Sequence, residues 1–91
     1  MRQVWKYSLP EPTRSTALPI GARFLDFANQ NGELVFWVEV DTSRDVEMRH
    51  FAVYNTGQNI APGYVYRGTT QVGPIVWHLY EYATEEEVSN S

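Results

Sequence analysis

His50 and His78 are the two histidines of this 91-residue chain, and together with Asp26 or Asp45 they would make a mixed nitrogen and oxygen site of the kind that holds zinc. Metal sites usually draw on three or more convergent ligands, and the spacing here matches no ligand pattern. Each imidazole is instead expected as a half-buried strand residue bonded to backbone or water, with no metal and no cofactor. Ser8, Ser15 and Ser43 lie beside proline or turn residues. They lack the strand-to-helix elbow of a nucleophile, and nothing in the spacing supplies a histidine and an acid together. Asp41 with Asp45, or Glu39 with Glu47, would make an acid–base pair. Flanking what reads as a hairpin turn, they fit a solvated rim better. The glycines are scattered, so no phosphate-cradling loop opens a helix. The expectation is a protein that binds rather than catalyses.

Basic and aromatic residues interleave. Lys6 lies between Trp5 and Tyr7, Arg49 stands two residues before Phe51, Arg67 follows Tyr66, and His78 follows Trp77. Guanidinium, imidazole and ring faces together can stack a base and clamp a phosphate. Trp5, Lys6, Tyr7, Arg49, Arg67, Trp77 and His78 are therefore the candidate residues for a small anionic, nucleotide-like ligand. Alternation alone offers a competing explanation. A half-buried strand hides every second residue, so a core ring beside an outward charge arises with no ligand in view.

Three tryptophans, six tyrosines and four phenylalanines exceed what one small core needs. The surplus would line a pocket, widen the core or seal an interface, and edge strands in so short a chain also need covering, so a homo-oligomer is expected. A chain of this length buries only roughly 60–65% of its unfolded surface, which sustains one core. The expected division is a single β domain over residues 1–83 and an acidic tail over 84–91. The formal charge is −4, with Glu85, Glu86 and Glu87 in that tail. Without them the body stands at about −1 and holds a single lysine, Lys6, which excludes the dense basic stripe that grips long nucleic acid. There is no cysteine, hence no disulfide and no thiolate chemistry. With no run of membrane-spanning length and no apolar leader at Met1–Lys6, a soluble cytoplasmic protein without membrane contact is expected.

The elements that must position these groups read as strands. Val4–Leu9 alternates, and Pro10-Glu11-Pro12 breaks it by removing backbone donors. Thr13–Leu18 forms a second short strand before Pro19-Ile20-Gly21 turns the chain. Ala22–Ala28 has mixed alternation, with Phe24 opposite Leu25 or Phe27, as though both faces were covered. Asn31-Gly32 marks a tight hairpin turn into Glu33–Val40, the central strand. Val46–Tyr54, Tyr64–Thr70 and Ile75–Tyr82 follow, with Gly68 a candidate bulge. No stretch carries a helical repeat over three turns. The fold class is all-β, a small antiparallel sandwich or barrel of about six strands, with a short disordered or helical acidic tail.

Val4-Trp5-Lys6-Tyr7-Ser8-Leu9, Leu18-Pro19-Ile20-Gly21-Ala22, Phe51-Ala52-Val53 with Thr56-Gly57, Tyr66-Arg67-Gly68-Thr69 and Val76-Trp77-His78-Leu79-Tyr80-Glu81 resemble a group of short, uncharacterised bacteriophage and prophage proteins. The resemblance implies a host bacterial cytoplasm as the setting. It also implies a non-enzymatic role against host defence, either holding a small nucleotide or blocking a host or virion protein by surface contact. It transfers no site residues.

Overall fold

The period-two alternation resolves into seven strands: β1 (Arg2–Ser8), β2 (Thr13–Pro19), β3 (Arg23–Gln30), β4 (Glu33–Asp41), β5 (Val46–Asn55), β6 (Tyr64–Val72) and β7 (Ile75–Tyr82). The computed structural model describes residues 1–83, so the expectation of a helical or disordered tail over 84–91 lies outside the described residues. Seven strands rather than about six form because the proline-flanked segment Thr13–Pro19 pairs along its whole length with β5. No helix of the described residues is long and apolar enough to cross a membrane.

All pairings are antiparallel and make two sheets, β1-β4-β3 and β2-β5-β7-β6. The two form a sandwich. Two local turns are true hairpins. Asn31 and Gly32 adopt φ of 55° and 86°, the pair of positive values that a two-residue turn between right-twisted strands requires. At the other, Val72 pairs with Ile75 across Gly73-Pro74. The Asp41–Asp45 segment is not a hairpin, contrary to its sequence reading, because β4 and β5 belong to different sheets. It carries the chain across the sandwich. Pro10 and Pro12 serve a similar crossing from β1 to β2, where the flanking groups are met by Leu34 O, which accepts from Leu9 N, and Val53 N, which donates to Pro12 O, both at 2.9 Å.

Alternation sorts β4 cleanly. Leu34, Phe36, Val38 and Val40 face the other sheet and are buried, where they meet Phe51, Val53 and Leu79. The Phe36 and Phe51 rings, one from each sheet, lie 4.5 Å apart, and Tyr7 stacks on Phe36 from β1 at 5.6 Å. Val35 is buried too, although it points away from this core. Lys6 Nζ reaches Gln30 Oε1 at 2.8 Å, from β1 to β3 across the outer side of β4, and the register puts Val35 beneath that bridge. The lysine stem shields an apolar residue while its ammonium stays in water.

The mixed pattern of Ala22–Ala28 has a different cause from the one its sequence suggests. A register shift between Phe24 and Asp26 inserts one extra residue into β3, so Phe24 and Phe27 both face the core and Leu25 is left outside. A second shift, between Tyr66 and Gly68, does the same in β6, as the glycine suggested. Gly68 lies against Phe27, where a Cβ would come within 3.3 Å of the Phe27 Cβ. The missing side chain is what lets β6 approach β3.

Candidate functional site

The two bulges face each other. Their strands are the edges of the two sheets on one side of the sandwich, and between them opens a cleft of about 430 Å³ lined by Ala22, Arg23, Phe24, Arg49, Tyr66 and Arg67. That volume is in the range of small-molecule sites. Phe24 comes from the bulge of β3, Tyr66 and Arg67 from the bulge of β6, and Arg49 from the inner face of β5. Three arginines and two aromatic residues thus line one opening. No carboxylate is among the lining residues.

Behind the cleft sits Glu81, 3% exposed and the one buried charged residue among those described. Alternation along β7 turns it inward beside Leu79, opposite Phe51 on β5 and Val65 on β6. Its carboxylate accepts from Arg49 Nε and from Arg49 Nη2 at 2.9 Å, and from Arg67 Nε at 2.9 Å. Arg49 Nη1 also donates to Ala22 O at 2.5 Å, tying the four-stranded sheet to the start of β3. A carboxylate taken out of water needs its lone pairs met, and these donors meet them. Glu81 therefore fixes how two of the three arginines are presented. Arg23 differs. It is exposed on the rim and lies 3.6 Å from Glu39, which Arg2 approaches equally closely.

The sequence reading proposed seven ligand residues, and the structure brings only Arg49 and Arg67 together. Trp5 and Tyr7 turn inward on β1, at the opposite edge of their sheet from the cleft, while Lys6 points outward. Arg14 stacks over Tyr7 at 5.0 Å and donates to Ser8 O at 2.6 Å, which seals that edge. Trp77 packs against the core and its neighbour His78 faces the other way. His78 Nδ1 and Nε2 bond the hydroxyls of Thr69 and Thr56, each at 2.9 Å, and Thr69 in turn meets Tyr66 Oη at 2.6 Å. His78 thus reaches the cleft only through two hydroxyls. Arg23, Phe24 and Tyr66 line the cleft but were not among the sequence candidates. Arg23-Phe24 repeats the basic–aromatic interleaving seen elsewhere, so a signal for it was present.

The catalytic alternatives also take definite places. His50 does pair with a serine, Ser15 Oγ to Nδ1 at 2.7 Å. The pair is exposed on the outer side of the four-stranded sheet, where the strands present no acid to complete a triad. His50 and His78 share that side but stand four residues apart in register along β5. Among the described residues no group of three or more His, Asp or Glu could hold a metal ion.

Asp41 lines a neighbouring opening with Arg2, Arg23 and Arg44. Its Oδ1 accepts from Ser43 Oγ at 2.7 Å and Ser43 N at 3.0 Å, and from the terminal ammonium at 3.2 Å. These bonds, the Ser43 hydroxyl foremost, lower its pKa from 3.8 to about 2. A depressed carboxylate stabilises the fold above the unfolded value and loses that contribution as pH falls from about 4 through about 2. A carbon-detected NMR titration should place the Asp41 midpoint near 2. A midpoint near 4 would show that Ser43 does not hold it.

No curated protein and no solved structure matches this chain. A family model described as a domain of unknown function, DUF7352, does match it over residues 1–90, and the chain belongs to that family.

Proposed function

We propose that this protein is a non-enzymatic binder of a small anionic, nucleotide-like ligand, held in the cleft of Arg23, Arg49 and Arg67. The observation that carries this reading is the presence of three arginines, permanently charged, beside Phe24 and Tyr66 in the lining of one small opening. Guanidinium donors match phosphate oxygens, and the rings offer faces to a base. In the phage setting implied by the sequence resemblance, retention alone would suffice. A nucleotide held here is withheld from a host sensor without any bond being broken.

Arg49 and Arg67 also hold Glu81, so replacing either perturbs fold and binding together. Arg23, on the rim, separates the two effects. Titration calorimetry with ADP and with pyrophosphate should show binding that adenosine lacks, and Arg23→Ala should weaken it about tenfold, equivalent to roughly 1.4 kcal/mol, with the melting temperature little changed. In amide-resolved NMR the same titration should shift residues 22–24 and 66–68. Absence of any heat or shift at millimolar ADP and pyrophosphate, or shifts confined to other surfaces, would remove the proposal.

A further inference from the structure

The outer faces of the two sheets differ in kind. The three-stranded sheet presents Arg2, Lys6, Arg23, Asp26, Glu33 and Glu39. Across the whole four-stranded sheet, not one outward-facing residue of β2, β5, β6 or β7 is Asp, Glu, Lys or Arg. Arg67, the bulged residue of β6, and Arg49 both turn inward to Glu81. In place of charge, five of the six tyrosines gather there in edge-to-face contact, with centroids 5.5–6.4 Å apart. Tyr66 and Tyr82 are each 52% exposed, Val46 62% and Met48 57%. Gly63 makes room for this layer: a Cβ there would fall 2.6 Å from the Tyr82 ring.

We infer that this face is the contact surface between two copies of the chain, stacked sheet on sheet about a two-fold axis. Three features select a second copy as the occupant. A two-fold contact sets a surface against itself, so a charged patch near the axis would meet its own sign. Tyrosine, threonine and serine hydroxyls both donate and accept, so such a surface can satisfy itself. The chain carries −4 overall, and this is the broad face on which two such chains can approach without opposing like charges. The area suffices as well. The molecule is a slab of 40 × 32 × 18 Å, and its broad side exceeds the roughly 800 Å² per partner of a standard interface. Depleted charge with abundant tyrosine is the composition of an interface centre. Tyr66 borders both this face and the arginine cleft, and Met48 and Tyr82 belong to the face alone, so their amides report pairing separately from any ligand.

Sedimentation velocity and light scattering on the full chain from about 1 to 100 μM should give twice the 10.5 kDa chain mass at the upper end. Met48→Glu and Tyr82→Glu, both at exposed positions, should weaken the dimer about a hundredfold by setting like charges across the axis. Val4→Glu, on the outer face of the three-stranded sheet, should leave it intact, and circular dichroism would show all three variants folded. In the wild type, dilution should shift the amides of Met48, Tyr66 and Tyr82 and leave those of Val4 and Lys6 in place. A monomer at 100 μM overturns the inference, as does a dimer broken by Val4→Glu and indifferent to Met48→Glu. A monomer that holds a different protein on this face, or whose tyrosine amides move on deletion of residues 84–91, would likewise give the face another occupant and overturn it.

Discussion

Glu81→Ala should lower the unfolding free energy by about 3–5 kcal/mol, the loss typical when one partner is taken from a buried ionic cluster. The reason is asymmetric. Arg49 and Arg67 cannot shed their charge, and both direct Nε at a carboxylate that sits on the core side of β7. Removing it takes the shared carboxylate from two cations beside Leu79 and Phe51, and also loosens the Arg49 tie to Ala22 O. For a domain of this size each kcal/mol moves the melting temperature by about 4–8 °C, so the drop should be roughly 15–30 °C. Converting all three residues to methionine should recover much of it, because a packed apolar cluster has no desolvation cost to offset. Urea denaturation of the two variants gives both numbers. A loss below about 1 kcal/mol for Glu81→Ala would mean that the arginines find equal partners elsewhere, and the cluster would then not be structural.

The second large effect belongs to Phe36. Its ring has no exposed surface and touches both sheets, through Phe51 at 4.5 Å and Tyr7 at 5.6 Å. Phe36→Ala removes the main inter-sheet contact at the centre of β4 and leaves a cavity that rigid strands cannot close. The expected cost is about 3–5 kcal/mol. Small domains hold only roughly 5–15 kcal/mol in total, so the variant should be partly unfolded at 37 °C. Phe36→Leu should cost distinctly less. If the two variants melted together, the core would be loosely packed and cavity volume would not set stability.

Much of this architecture is legible in the residues, since strand alternation and turn chemistry are local properties. Most strand segments can be read from period-two runs, the broken run Ala22–Ala28 apart, and Asn31-Gly32 announces its turn because few other pairs tolerate two positive φ values. The site is far less legible. Adjacent candidates such as Trp5 with Lys6, and Trp77 with His78, are sent to opposite sides by the same alternation that identifies their strands. Arg49 and Arg67 meet because β5 and β6 both flank β7, a strand order that no short-range signal encodes. The bulge at Phe24 was read as two-sided burial, for an extra residue and a fully covered strand produce the same broken pattern. Nothing in the run Ile75–Tyr82 marks Glu81 as special, and only tertiary pairing shows that its neighbours are arginines.

The paired irregularities in β3 and β6 bear on more than ligand geometry. Each lies in a strand with one free side, where an unbroken ladder would invite a foreign segment to add on and begin a fibril. One surplus residue in each throws the spacing of amides and carbonyls out of step, and this flank of the slab is poorly matched to any regular incoming strand. The irregularity that shapes the cleft also works against growth of the chain into cross-β assemblies.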